Sequence, residues 1–291
     1  MSFFGGKIME EDIQLTPELL DEIIKEAYKK GVEDAQGRKE RQKEGYKKRI
    51  EQEEFYKQLK FTCGSFYFDY YNKFKINEKQ YLFRFIYLCT YMNYNNILSN
   101  GTRLYLENEL EDLLLLSRRE YYNTKKFLLD NELIKITKDK HILINDAYCK
   151  RGKIFMEKNI EVVRIFDKAI QELYKKSTPK EHKKLSLLID ILPYVNFKHN
   201  VICKNPEEED FLKIQPMTMK ELCAAIGQDE RKPSLLKNKL FKLTVSGEIV
   251  VGIFDKVIGS CIYVNPKVYY KGNNIEELEG LARMFKIGTN I

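Results

Sequence analysis

The sequence predicts a mainly helical α+β chain with small β-hairpins, and three observations lead there. Apolar residues recur at helical spacing over long stretches, short alternating apolar runs come in pairs, and one order of helices and paired strands occurs twice. A length of 291 residues suits about two domains. With 43% hydrophobic and 32% charged residues the chain can fill real cores, which excludes wholesale disorder. No window approaches the ~18 consecutive apolar residues of a membrane span. The start, Met1-Ser2-Phe3-Phe4-Gly5-Gly6-Lys7, lacks the apolar run of a secretory signal, so a soluble cytoplasmic protein with no membrane partner is expected.

Residues 1–60 are expected to form a charged, helical and partly disordered segment. Thr16 can cap a helix whose first position is Pro17, where the missing N–H costs nothing, and Leu19, Leu20, Ile23, Ile24 and Ala27 then repeat at helical spacing. Gly31, Gly37 and Gly45 follow among many Lys, Glu and Arg. An interior glycine costs ~1 kcal/mol relative to alanine, so 31–50 is predicted to be a weak helix or a linker. Homodimerisation through the helix at 16–28 stays open, because that stretch is short for a coiled coil.

Residues 61–155 are predicted to form the first folded domain. Phe66-Tyr67-Phe68-Asp69-Tyr70-Tyr71 is an aromatic packing segment. Asn77 with Gln80 opens a helix through Phe83, Ile86, Tyr87 and Thr90. A loop at 93–101 leads to a helix at 106–115, and Ser117 stands where a third helix, 118–130, needs its cap. Two alternating strands follow, 133–136 and 142–144, joined by the charged turn Lys138-Asp139-Lys140. Three helices and a hairpin in this order make a winged helix-turn-helix.

A connecting helix is expected over 156–176, with Ile160, Val163, Phe166, Ile170 and Leu173 on one side. The second winged helix-turn-helix is then placed at 177–272. Thr178-Pro179-Lys180-Glu181 opens a helix through Leu187, Ile191 and Leu192, and Thr218 with Glu221 forms a capping box before Leu222, Ala225 and Ile226. Gly227 ends that helix, another follows over 233–243, and 248–254 with 260–264 makes the second wing. A helical tail occupies 273–291. The halves agree locally: Tyr91-Met92-Asn93-Tyr94 answers to Tyr194-Val195-Asn196-Phe197, and Ile144-Asn145 before Lys150-Arg151-Gly152 answers to Val264-Asn265 before Lys271-Gly272. Such a long period is a domain duplication and not a solenoid repeat.

Catalytic and metal chemistry find little to work with. The six cysteines form no CxxC pair, the three histidines (His141, His182, His199) are far apart, and no GxxxxGK[ST] loop is present. Flanks such as Leu88-Cys89-Thr90 and Leu222-Cys223-Ala224 suggest buried reduced thiols. Neither an enzyme nor a cofactor is expected.

The net charge of +7 is unevenly placed. Residues 1–60 hold 13 basic and 14 acidic side chains, 61–155 hold 15 and 11, and 156–291 hold 22 and 18. The excess lies on the folded segments. In a helix-turn-helix the second helix enters the major groove with base-facing residues near its N-terminus, while basic neighbours hold phosphates. The candidate DNA contacts are therefore Arg118, Arg119, Tyr122, Asn123, Lys125 and Lys126 in the first half. In the second half they are Arg231, Lys232, Ser234, Lys237, Asn238 and Lys242, with Leu235, Leu236, Leu240 and Leu243 as the buried stripe. Arginine suits guanine bidentately and asparagine suits adenine. Lys140 in the wing and Lys150 and Arg151 in the cluster Lys150-Arg151-Gly152-Lys153 are candidate phosphate contacts. The helix residues among these also suit a plain solvated helix face, and Lys140 also suits an ordinary turn.

Gly64-Ser65-Phe66 leading into Ile86-Tyr87-Leu88-Cys89-Thr90-Tyr91-Met92-Asn93-Tyr94-Asn95, then Leu115-Leu116-Ser117-Arg118-Arg119, resembles replication-associated proteins from plasmids and prophages of low-GC Gram-positive bacteria. Residues 218–242, with Cys261-Ile262-Tyr263-Val264-Asn265-Pro266-Lys267 and Tyr270-Lys271-Gly272, are similar to the winged-helix replication initiators of small Firmicute plasmids. The resemblance implies sequence-specific binding to repeated double-stranded DNA at an origin and recruitment of host replication proteins, without enzymatic activity. It also implies association with plasmid or nucleoid DNA. A repressor of the same replicon shares every DNA-contact feature, and an adaptor whose winged helices bind a protein partner is the other alternative.

Overall fold

The structure, a computed structural model, describes residues 17–70, 78–152, 162–256 and 259–288. Thr16, Asn77, Lys153 and Ile160, each given a role above, lie outside them. The chain divides into two compact units, Met1–Glu54 and Phe55–Ile291.

Helix α1 (Pro17–Cys63) continues through Gly31, Gly37 and Gly45, where the sequence predicts weakening. Alanine, Lys, Glu, Gln and Arg around the glycines are strong helix formers. Pairs one turn apart add support, with Lys48 2.8 Å from Glu44 and Arg49 3.3 Å from Glu53. Each exposed pair of this kind adds ~0.3–0.5 kcal/mol.

The second unit begins with the last turns of α1, whose Phe55, Leu59 and Cys63 are buried. Next come β1 (Phe66–Asp69), α2 (Lys79–Cys89) and the small hairpin β2 (Ser99–Asn100) with β3 (Arg103–Leu104). A 3₁₀ turn at Glu107–Glu109 leads into α3 (Leu110–Leu114), followed by α4 (Arg118–Asp130). Strands β4 (Ile134–Ile136) and β5 (Ile142–Ile144) then pair, and β6 (Cys149–Lys150) returns to β1.

The expected connecting helix is shorter than predicted. Val163–Phe166 is strand β7, and helix α5 runs only over Asp167–Lys176. Val163 and Ile165 are β-branched and find a partner in β1, in the register Phe66↔Phe166 and Tyr67↔Ile165. The helix predicted after Thr178 is broken into α6 (His182–Leu185), α7 (Leu187–Asp190) and a 3₁₀ turn at Leu192–Tyr194. At the first break the Ser186 hydroxyl bonds back to the Lys183 carbonyl at 2.8 Å.

Helices α8 (Met219–Ala225) and α9 (Pro233–Phe241) follow. A tight hairpin, β8 (Thr244–Val245) with β9 (Glu248–Ile249), precedes the longer one, β10 (Val251–Lys256) with β11 (Gly259–Val264). The wing predicted at 248–254 is thus split. The tight turn needs two residues at positive φ, Ser246 at 51° and Gly247 at 81°. The Ser246 N–H is held by the Glu172 carboxylate at 2.9 Å. Strand β12 (Tyr269–Tyr270) pairs with β7, and α10 (Ile275–Gly288) closes the unit by burying Leu278 and Phe285.

The result is an α+β arrangement of helices with small antiparallel sheets. The largest sheet has the order β12-β7-β1-β6, so strands from both halves share it. All six cysteines are buried, and none is in a disulfide. Among the described residues no helix is long and apolar enough to cross a membrane.

The two halves repeat one hydrogen-bond scheme. Asn96 and Asn200 both sit at positive φ, 58° and 52°. Their side-chain amides donate to the Cys149 and Tyr269 carbonyls, each at 3.0 Å, and their carbonyls accept from Ile144 and Val264 N–H at 2.8 and 3.1 Å. Asn93 and Asn196 each accept two backbone N–H groups on Oδ1, closing the same turn. Asn145 and Asn265 likewise accept from Ala147 and Lys267 N–H at 3.0 and 2.9 Å. The Tyr-x-Asn and Val-Asn-Pro signatures therefore serve the backbone of the fold, tying turns to strands.

Candidate nucleic-acid interface

Each half presents a pair of helices, α3–α4 and α8–α9, and their positions correspond at one spacing. Leu106 and Thr218, Leu115 and Gly227, and Leu128 and Leu240 are each 112 residues apart. Thr218 builds the expected capping box: its hydroxyl accepts from Glu221 N–H at 3.2 Å, and the Glu221 carboxylate accepts from Thr218 N–H at 2.8 Å. Hydrogen bonds from Lys204 and then from Thr218 hold the Glu221 carboxyl down at about 2. Glu109 takes the Leu106 N–H in the same way at 2.9 Å. Leu115 and Gly227 both adopt positive φ, 52° and 68°, where the chain turns toward the next helix. Leucine is strained in that conformation and glycine is not. Ser117 takes the N-cap position of α4 with extended backbone, yet its side chain makes no cap hydrogen bond.

Helix α4 is oriented by Tyr121, Thr124 and Leu128, which are buried, and by Phe127 stacked on Tyr81 with ring centroids 4.5 Å apart. Helical spacing then leaves Arg118, Arg119, Tyr122, Asn123 and Lys126 exposed. The Arg118 guanidinium lies over the Tyr122 ring at 5.9 Å, a contact that restricts both side chains. Lys125 is turned aside, with its ammonium 2.6 Å from Glu107, and Lys140 approaches the same carboxylate at 3.9 Å. The hydrogen bond from Lys125 draws the Glu107 carboxyl below its ordinary value. Lys126 pairs with Asp130 at 2.9 Å. Arg118 and Arg119 make no ion pair among the described residues.

Helix α9 is anchored by Leu236 and Leu240, both buried. Leu235, predicted as part of the buried stripe, is 54% exposed. It stands next to Leu236 along the chain, and one residue turns the helix by about 100°, off the buried stripe. Ser234, Lys237, Asn238 and Lys239 are exposed, as are Arg231, Lys232 and Lys242 at the helix ends. Lys237 lies over the Phe241 ring at 5.5 Å, and Lys232 reaches Asp229 at 3.9 Å. Arg231, Lys237, Lys239 and Lys242 have no ion-pair partner among the described residues.

Two predicted contacts outside the helices fare differently. Lys150 is half-buried on the wall of a cleft of about 290 Å³ with Tyr94, Lys135 and Asp146. Arg151 is an internal strut. Its guanidinium donates to the Phe66 and Thr90 carbonyls at 2.9 and 3.2 Å and to Asp167 Oδ1 at 2.8 Å, which corrects its assignment as a phosphate contact. The guanidinium is only 12% exposed, both terminal nitrogens are taken up inside the fold, and the unpartnered Nε is buried, so it is not presented to a ligand outside.

The sequence missed three exposed lysines. Lys239 belongs to the free basic set of α9 and was within reach of helical spacing. Lys180 and Lys183, from the second half, stand beside Asn123 of α4 across a cleft, and no local pattern signals that proximity. The chain matches no protein-family model, no curated protein and no solved structure.

Proposed function

We propose that the chain is a sequence-specific double-stranded DNA-binding protein whose halves are winged helix-turn-helix units, and that it initiates replication of a plasmid or prophage by binding repeated sites. The recurrence of an exposed basic helix carries this reading. Helices α4 and α9 occupy corresponding places in the repeated scheme, each after a short capped helix and before a hairpin, and Arg119 and Arg231 fall at equivalent positions, as do Lys125 and Lys237. A solvated helix face has no reason to keep this excess in the same place twice. In the proposed mode Arg118, Arg119 and Asn123 address base edges, while Lys237, Lys242 and Arg231 hold phosphates. Two such helices in one chain would address major-groove faces ~10 base pairs apart, or a multiple of that.

The test is binding at physiological salt, with excess competitor DNA, to labelled duplex tiles covering the gene for this chain and its flanks. A competitor-resistant tile containing repeated sequence supports the reading. Replication from that tile in a host strain then separates an initiator from a repressor. Uniformly weak, salt-sensitive binding to every tile would reject specific recognition.

A further inference from the structure

We propose that Lys180 and Lys183 of the second half contact the DNA backbone beside α4, so that one half completes the interface of the other. This rests on the DNA-binding reading above. A cleft of about 320 Å³ opens between α4 and residues 179–183, with Gln80, Arg84, Glu120 and Asn123 on its walls beside the two lysines. At its base lies Arg84, only 2% exposed. Its guanidinium donates to Thr124 Oγ1 on α4 at 2.8 Å and to the Pro179 carbonyl at 3.5 Å, and its Nε donates to His182 Nδ1 at 3.2 Å. His182 is itself fixed by stacking on Tyr174, with ring centroids 4.2 Å apart. One buried arginine thus fastens the turn carrying Lys180 to the turn of α4 that ends in Thr124, and Asn123 lies within that clamped turn.

Charge decides what the cleft accepts. Lys180 and Lys183 are exposed and make no ion pair among the described residues. Glu120, the acidic wall residue, faces Arg84 at 3.7 Å. Glu181, between the two lysines in sequence, is occupied by the Thr178 N–H and hydroxyl, both at 2.9 Å. Two exposed ammonium heads above the hydrogen-bonded Arg84, next to an amide suited to adenine, make a site for backbone phosphate flanking a read base. Arg84 acts here as a positioning residue, holding the lysines to α4.

The experiment compares the full-length wild type with the double variant Lys180→Ala, Lys183→Ala on the competitor-resistant tile and on a scrambled duplex, over a range of salt. Loss of two phosphate contacts should weaken both duplexes alike and reduce the slope of log K against log salt by about 1.8, since each contact contributes about 0.9. Lys29→Ala with Lys30→Ala, exposed on α1, removes the same charge elsewhere and should leave the slope unchanged. An unaltered slope in the Lys180/Lys183 variant would overturn the proposal while leaving the DNA reading intact, and so would an equal change in the α1 control. If the wild type binds no tile above competitor, the DNA reading fails and this inference with it.

Discussion

Helices α4 and α9 sit at equivalent places in a repeated scaffold but carry their charge in different states. In α4, Glu107 holds Lys125 and is approached by Lys140, and Asp130 holds Lys126, so that the unpaired cations are the two arginines at the N-terminus. The equivalents of Glu107 and Asp130 in the second half are Met219 and Lys242. With Met219 in place of Glu107, Lys237 has no ion-pair partner among the described residues, and Lys242 puts a further cation where α4 has Asp130. The lesson is that two helices of similar basic content can divide the work of binding. In the proposed DNA-binding mode, α4 would offer groups that read base edges and α9 groups that neutralise phosphates.

This contrast can be broken in order of expected effect. Replacing Arg118 and Arg119 with alanine should cost ~1–3 kcal/mol for each base pairing lost and relax sequence choice, measured as the ratio of affinities for the selected tile and its point variants. Replacing Arg231, Lys237 and Lys242 together should instead weaken all duplexes alike and flatten the salt slope by about 2.7, at ~0.9 per phosphate. Glu107→Gln removes the carboxylate that occupies Lys125 and attracts Lys140. Titration against a scrambled duplex should then show tighter binding and a salt slope steeper by about 1–2, bringing α4 toward the behaviour of α9.

A smaller effect concerns stability on the α4 side, where buried Arg84 meets His182. Burial first, and the Arg84 charge second, press the His182 imidazole from its ordinary 6.5 down to about 4. The native state therefore keeps His182 neutral, whereas the unfolded chain protonates it below about 6.5. Its effect on stability is absent above that pH and grows as the pH falls toward about 4. Denaturant melts across this window should show falling stability for the wild type and a flatter profile for His182→Gln.

The sequence displayed what is local. Helical spacing, caps at Thr218 and Gly227 and alternating strands placed α4, α8, α9 and the paired strands, because each signal lies within one turn or one hairpin. The exposed Arg118, Arg119, Asn123 and Lys237 were legible for the same reason. Long-range pairing was not. Strand β7 is a four-residue piece whose partner β1 lies about a hundred residues earlier, so nothing near Val163–Phe166 distinguishes it from the start of α5. Arg151 looked like part of a surface basic cluster, and only the fold brings Asp167 and two carbonyls around it. The same limit hid the pairing of Glu107 with Lys125 and the approach of Lys180 and Lys183 to Asn123. Three glycines in α1 misled in the other direction, since their cost is spread over a long helix of strong formers.

The most direct test of the division of labour is a side-by-side salt titration of three proteins on the selected tile and a scrambled duplex. These are the wild type, the Arg118/Arg119 double variant and the Arg231/Lys237/Lys242 triple variant. We expect the double variant to lose discrimination between the two duplexes while keeping most of the salt slope, and the triple variant to lose slope while keeping discrimination. Equal losses of both quantities in the two variants, or no loss in either, would contradict separate roles for α4 and α9.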